Sequence, residues 1–140
     1  MGIIQSKILN AVKIPLLSRA LDVSSIQHKS VSSNVANIST PGYQRKYVNF
    51  NNEMKKAIKN TSNNSLKMEA TNPGHMTGMN NPKKIDVVTD KDNSNFNGIN
   101  NVDIDREMGV MSENTIIYNT SAKLLAKKFQ GLLTAIRGSR

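Results

Sequence analysis

Apolar and polar positions alternate in a regular way at the two ends of the chain and lose that regularity in the middle. From Leu17, the residues Leu17, Leu21, Ser24, His28, Val31, Val35 and Ile38 recur with alternating steps of four and three. That spacing is a heptad seam on one helix, apolar at its ends and polar at Ser24 and His28. Pro15 fits the first turn of such a helix, where its missing N–H costs nothing. The preceding residues 3–13 read as a short helix or kinked lead-in with Ile4, Ile8 and Val12 on one face. The long helix is predicted over 15–39 and ends at Thr40-Pro41-Gly42-Tyr43. Pro41 biases Thr40 away from helical geometry, and Pro-Gly suits the centre of a type II turn.

The C-terminal end carries a longer seam: Met108, Met111, Thr115, Tyr118, Ala122, Leu125, Phe129, Leu132 and Ile136, stepping by three and four throughout. Acidic Glu107 and Glu113 lie near the start of this stretch and Lys123, Lys127, Lys128 and Arg137 toward its end, which complements the helix dipole. A helix over 106–137 is predicted, with Gly138 as its stop. Between the two helices the sequence changes character. Residues 49–105 hold 14 Asn and few large apolar side chains. Residues 51–65 and 91–101 read as flexible loop, and short strands are predicted at 44–50, 66–71 and 85–89.

These patterns predict a mainly α protein. Long N- and C-terminal helices pair as a coiled coil around an irregular, partly β central insert. The segments are 1–40 (N-terminal helical), 41–105 (turn and insert) and 106–140 (C-terminal helix), the two helical ends forming one coiled-coil domain. Each seam is half of a stable coiled coil. Pairing within the chain and pairing between copies are both open.

Charge refines this picture. Nineteen basic residues against ten acidic give a net +9, unevenly placed. Residues 1–59 carry nine basic and two acidic side chains, 60–113 five and eight, and 114–140 five and none. Basic ends and a mildly acidic middle allow complementary contacts between copies, or an acidic partner. The opening Met1-Gly2-Ile3-Ile4-Gln5-Ser6 fits a short lipidation pattern, but that pattern is common by chance and an ordinary helix start is the preferred reading. Lys7, Asn10 and Lys13 interrupt any apolar stretch long enough for a cleaved secretory signal, so export would use a route without one.

Catalytic chemistry finds little to work with. There is no Cys, and two His, His28 and His75, cannot build a multi-His metal site. Asp103-x-Asp105-x-Glu107 lacks a companion nucleophile and reads as carboxylates at a helix start. Asp90-x-Asp92-x-Ser94 opens like a calcium loop but has Asn95 and Asn101 where Gly and Glu are required. No enzyme activity, cofactor, metal or small-molecule substrate is expected.

Two stretches carry a family resemblance. Ser33-Asn34-Val35-Ala36-Asn37-Ile38-Ser39-Thr40-Pro41-Gly42-Tyr43 resembles the S-N-I-A-N-x-x-T-P-G-Y signature of bacterial flagellar rod and hook proteins. Asn100-Asn101-Val102-Asp103-Ile104-Asp105-Arg106-Glu107-Met108 resembles the corresponding N-N-V-D-x-D-x-E-M segment of the proximal rod member. Thr71-Asn72-Pro73 followed by His75 and the closing Ala135-Ile136-Arg137-Gly138 are similar as well. Val35 stands where the family usually has Ile, and residues 97–101 hold one residue more than usual.

The resemblance implies a structural subunit of the flagellar basal-body rod, stacked helically around an export channel. Its partners would be other copies, other rod and basal-body proteins and the flagellar type III export apparatus, with no nucleic acid. Phe50 and Met54 fit a short export-gate element. For assembly the reading selects Leu17, Leu21, Val31, Val35 and Ile38 with Tyr118, Leu125, Phe129, Leu132 and Ile136. Asn34, Asn37, Pro41, Gly42 and Tyr43 would shape the turn after the first helix, and Asn101, Asp103 and Asp105 the start of the last. The alternatives are another rod or hook-type axial subunit and, in a different class, a basic helical nucleic-acid-binding protein.

Overall fold

Lys13 adopts a left-handed backbone conformation (φ 58°) and Pro15 falls in the first turn that follows, so a helix starts here. In the computed structural model, which describes residues 13–62, 84–91 and 98–138, this helix is α1, Ile14–Ala36. It ends at Asn37, whose backbone N–H bonds back to the carbonyls of Ser33 and Asn34. Its side-chain amide also donates to Ser33 O at 2.7 Å, a second bond to a carbonyl of the last turn. Tyr43 N–H then bonds to Thr40 O across Pro41-Gly42, with Gly42 at φ 71°. Pro at the second position and a positive φ at the third are the marks of a type II turn.

The chain continues through strand β1 (Lys46–Val48), helix α2 (Phe50–Ser62), strand β2 (Val87–Thr89) and helix α3 (Ile104–Arg137). The strands pair antiparallel in the register Lys46–Thr89, Tyr47–Val88 and Val48–Val87. Asp103 caps α3, its carboxylate accepting the backbone N–H groups of Asp105 and Arg106. Gly138 closes the helix at φ 70°. At 1.5 Å per residue α3 spans about 51 Å and α1 about 35 Å.

The helix α2 corrects the reading of residues 51–65 as loop. Asn49 caps it: its side chain accepts Asn52 N–H at 3.1 Å and its carbonyl accepts Glu53 N–H. Phe50 opens this helix rather than closing a strand. It packs on a small apolar cluster of Val23, Val48 and Ile85, joined by Ile26. The expected strand at 66–71, the lead-in helix over 3–12 and His75 lie outside the described residues. So do residues 92–97 of the expected loop at 91–101. Its described end, residues 98–101, is irregular and carries buried Asn100 and Asn101.

The two long helices pack against each other antiparallel, as Asn34 meets Glu107 and Ser24 meets Asn114. Their contact line differs from the apolar seams in a consistent way. On α1 the buried residues include Ala20, Gln27 and Asn34, each one position before Leu21, His28 and Val35. On α3 they are Glu107, Asn114 and Ser121, each one position before Met108, Thr115 and Ala122. Val31 and Ser24 belong to both lines and are buried. The physical reason is size and hydrogen bonding. Small residues let the helices approach, and the polar ones bond across the gap, so the bulkier apolar residues turn to its flanks.

Gly42 has no side-chain neighbour within 4 Å, but its positive φ strains any other residue. Gly109 has equal room inside α3 without a positive φ. Replacing Gly42 by Ala should destabilise the fold by about 1–2 kcal/mol, whereas Gly109→Ala should stabilise it by about 0.5–1 kcal/mol. Urea unfolding of the two variants checks both signs.

Candidate functional site

Among the described residues, four of the almost completely inaccessible side chains are polar: Glu53, Glu107, Asn34 and Ser24. The fully buried apolar ones are valines, Val23, Val31 and Val102. Buried charges and amides persist only when partnered, and here their partners tie the insert to the helices.

Asn34 stands at the centre. Its side-chain amide donates to Lys46 O (2.7 Å) and to Glu107 Oε2 (2.9 Å), and its Oδ1 accepts Lys46 N–H (2.9 Å) and Tyr43 O–H (3.1 Å). Tyr43 Oη also lies 3.0 Å from Ser33 Oγ. Glu107 receives Arg45 Nε at 2.5 Å, an ion pair with both side chains buried. Arg45 lies over the Tyr47 ring, with Asp90 at 3.8 Å from Nη1. Its backbone N–H donates to Asn101 Oδ1 (2.8 Å), while Asn101 Nδ2 donates to Asp90 O (3.1 Å). Asn100 Nδ2 reaches the carbonyls of Asn37, Ile38 and Thr40, and Gln27 Oε1 accepts Val48 N–H. This polar clasp joins α1, the turn, both strands and the start of α3.

A second ionic group fixes α2. Glu53 Oε2 receives Arg19 and its Oε1 receives Lys56, each at 2.7 Å, and Lys56 also bonds Asp86 at 2.7 Å. Burial pushes the Glu53 carboxyl up. The hydrogen bonds and charges of Lys56 and Arg19 outweigh this and hold it below its ordinary value of 4.5. The Lys56 ammonium holds Asp86 below its ordinary range as well.

The residues singled out from sequence divide between the clasp and the surface. Asn34 and Asn101 are buried in the clasp, Tyr43 is half-buried in it, and Asn37, Asp103 and Gly42 hold helix ends or the turn. Pro41 and Asp105 are exposed. Leu17, Leu21, Val35, Ile38, Leu125 and Leu132 are half-buried. Tyr118, Phe129 and Ile136 are exposed, Ile136 at 80%. Phe50 and Met54 are half-buried on α2. Sequence reasoning placed Glu107 at a helix start and passed over Arg45, Asn100 and Glu53. Glu107 does lie in the first turn, but it also turns inward, at the position where a heptad would place a core residue.

On α3 the positions Tyr118, Ala122, Leu125, Phe129, Leu132 and Ile136 form one apolar stripe at helical spacing, beside the line that packs on α1. Leu133 adds an exposed apolar flank, and Lys123 and Lys127 occupy the opposite side. α3 is about 16 Å longer than α1, so its last turns extend past the described start of α1. Among the described residues no three His, Asp or Glu side chains converge to hold a metal ion, and no helix is long and apolar enough to cross a membrane.

Removing Glu107 leaves the buried Arg45 guanidinium with only the longer contact to Asp90, at 3.8 Å, to offset its charge. Glu107→Ala should therefore cost about 3–5 kcal/mol of stability, and Arg45→Met with Glu107→Leu together should recover part of it. Urea unfolding of the single and double variants measures both. Glu53 adds a pH dependence. As acid is added, the unfolded chain takes up the Glu53 proton first, near 4.5, while the folded carboxyl stays charged. Stability should then fall as pH drops below that value and through the lower folded one. Glu53→Gln should be less stable at neutral pH and lose less of its stability in acid, read by unfolding at several pH values.

A family model described as "Flagella basal body rod protein" matches residues 17–44, the stretch holding most of α1 and the turn. The chain is 34% identical over 118 residues to the flagellar basal body rod protein FlgB of Borreliella burgdorferi, covering 81% of this chain and 87% of that one. To the FlgB of Bacillus subtilis it is 30% identical over 124 residues, covering 89% and 92%. To that of Aeromonas hydrophila it is 29% identical over 128 residues, covering 86% and 89%. With two antiparallel helices joined through a polar clasp, and relatives of one kind matching it over most of its length, this chain belongs to the FlgB family of flagellar basal body rod proteins.

Proposed function

We propose that the chain is a structural subunit of the proximal rod of the flagellar basal body, assembling with copies of itself and with other rod proteins through its terminal helices. One observation carries this reading: the apolar stripe of α3 ends on exposed Tyr118, Phe129 and Ile136. Fully burying a large apolar side chain is worth about 1.5–3 kcal/mol. A stripe of this length gains most by being covered in an assembly. An open helical array needs heterologous contacts, in which one surface meets a different surface of the next copy. Basic ends and an acidic middle supply two such surfaces.

In this reading the helical ends, 1–40 and 106–140, build the wall of the rod and the segment 41–105 decorates it. Delivery through the flagellar type III export apparatus belongs to the same proposal. An export-gate element at Phe50 and Met54 would be read in the unfolded chain, because Phe50 packs on Val23, Val48 and Ile85 once folded.

Phe129→Asp and Ile136→Asp change exposed positions, so their unfolding free energy should stay within about 0.5 kcal/mol of the parent. Their self-association, followed by sedimentation, should fall at least tenfold, and that of the parent should weaken as salt rises. Unchanged association of both variants would overturn the reading. Association indifferent to salt would remove its electrostatic part.

A further inference from the structure

The two-stranded sheet treats its outer edges differently. Asp90 N–H bonds Arg45 O at 2.8 Å, in the register that sets Tyr47 opposite Val88. Antiparallel pairs alternate between hydrogen-bonded and non-bonded. Tyr47 and Val88 therefore bond each other, while Lys46, Val48, Val87 and Thr89 turn their backbone polar groups outward. On β1 that edge is sealed by side chains of α1. Asn34 takes both outward groups of Lys46, and Gln27 accepts Val48 N–H at 2.6 Å. On β2 the outward N–H and C=O groups of Val87 and Thr89 have no partner among the described residues. β2 is exposed along its whole length, Val87 at 46% and Val88 at 38%. An open edge is a template for another strand, and proteins ordinarily blunt it with Pro, a bulge or a central charge. Val87-Val88-Thr89 carries none of these.

We infer that β2 pairs edge to edge with β2 of a second copy, antiparallel about a two-fold axis at Val87, to give a four-stranded sheet. Two observations select this occupant and this register. With β1 sealed, β2 is the open strand edge among the described residues, so the edge that a second copy offers is the same one. Charge then chooses the register. Outward residues must meet outward residues, which sets Val87 opposite Val87, Val87 opposite Thr89, or Thr89 opposite Thr89. Centred on Val87, exposed Lys84 lies opposite Asp90 of the second copy, twice by symmetry. With Val87 opposite Thr89, Asp86 lies opposite Asp90, again twice, and like charges directly opposite are destabilising. Centred on Thr89, Val88 lies opposite Asp90 and the Lys84–Asp90 pairs are lost. The contact is isologous and closes on itself. It pairs free subunits, and it does not rest on the propagating contact proposed for α3.

The chain has no Cys, so a single introduced one reports the register. The test uses the full chain carrying Phe129→Asp, so that the α3 stripe does not contribute, under mild oxidation. Residues opposed in a hydrogen-bonded pair lie about 5.5 Å apart, within disulfide reach, whereas a shift of two or more residues takes the Cα atoms beyond about 7 Å. Val87→Cys should form a disulfide-linked dimer at least tenfold faster than Val88→Cys or Thr89→Cys. Thr89→Pro removes one outward N–H and leaves the Tyr47–Val88 pair intact. Added to Val87→Cys, it should slow coupling at least tenfold. Lys84→Asp, which alters no strand bond, should slow coupling at least threefold. No coupling of Val87→Cys, equal coupling at the three positions, or coupling of Val87→Cys that neither Thr89→Pro nor Lys84→Asp slows would overturn the inference.

Discussion

The fold depends on the burial of Glu107 against Arg45 and Asn34. A carboxylate on α3, a guanidinium just before β1 and an amide on α1 meet where a helix pair would ordinarily place leucines. Such a group holds geometry more firmly than it adds stability, because the desolvation of the charges offsets much of their attraction. It requires each partner to arrive in one orientation. Among the described residues the insert is therefore held by directional bonds, supported by a small apolar cluster of Val23, Val48 and Ile85.

This arrangement sets which apolar surface is left over. Polar and small residues fill the line between α1 and α3, and the large side chains of α3 lie beside it or point outward. A monomer with its helices packed through leucines would have little reason to associate. Here the clasp satisfies the contact within the chain, and the stripe stays exposed on α3 at Tyr118, Phe129 and Ile136. The acidic side chains of α3 lie toward its start and Lys123, Lys127, Lys128 and Arg137 toward its end, which complements the helix dipole.

Much of this was legible in the sequence, for identifiable reasons. Nine seam positions in register gave α3 and its direction, and Pro41-Gly42 gave the turn, because both follow from local chain geometry. The packing line was missed by one residue on each helix. Periodicity reports where apolar residues fall, whereas the contact is decided by which residues can approach and bond. Asn34 was singled out through the family motif rather than through any rule that places an amide in a core. Nothing local in the sequence reveals that Arg45, 62 residues away, faces Glu107. The helix α2 had signals that could have found it: the cap Asn49 and the spacing of Phe50, Met54, Ala57 and Ile58. The many Asn around them suggested loop instead.

The central claim is that the α3 stripe is buried by other subunits while the clasp stays closed within each one. An electron-microscopy map of the assembled rod at side-chain resolution tests it most directly. The account predicts Tyr118, Phe129 and Ile136 packed against neighbouring subunits, with Glu107 still on Arg45 and Asn34 of its own chain. A map with those three side chains facing the bore or open solvent would contradict it.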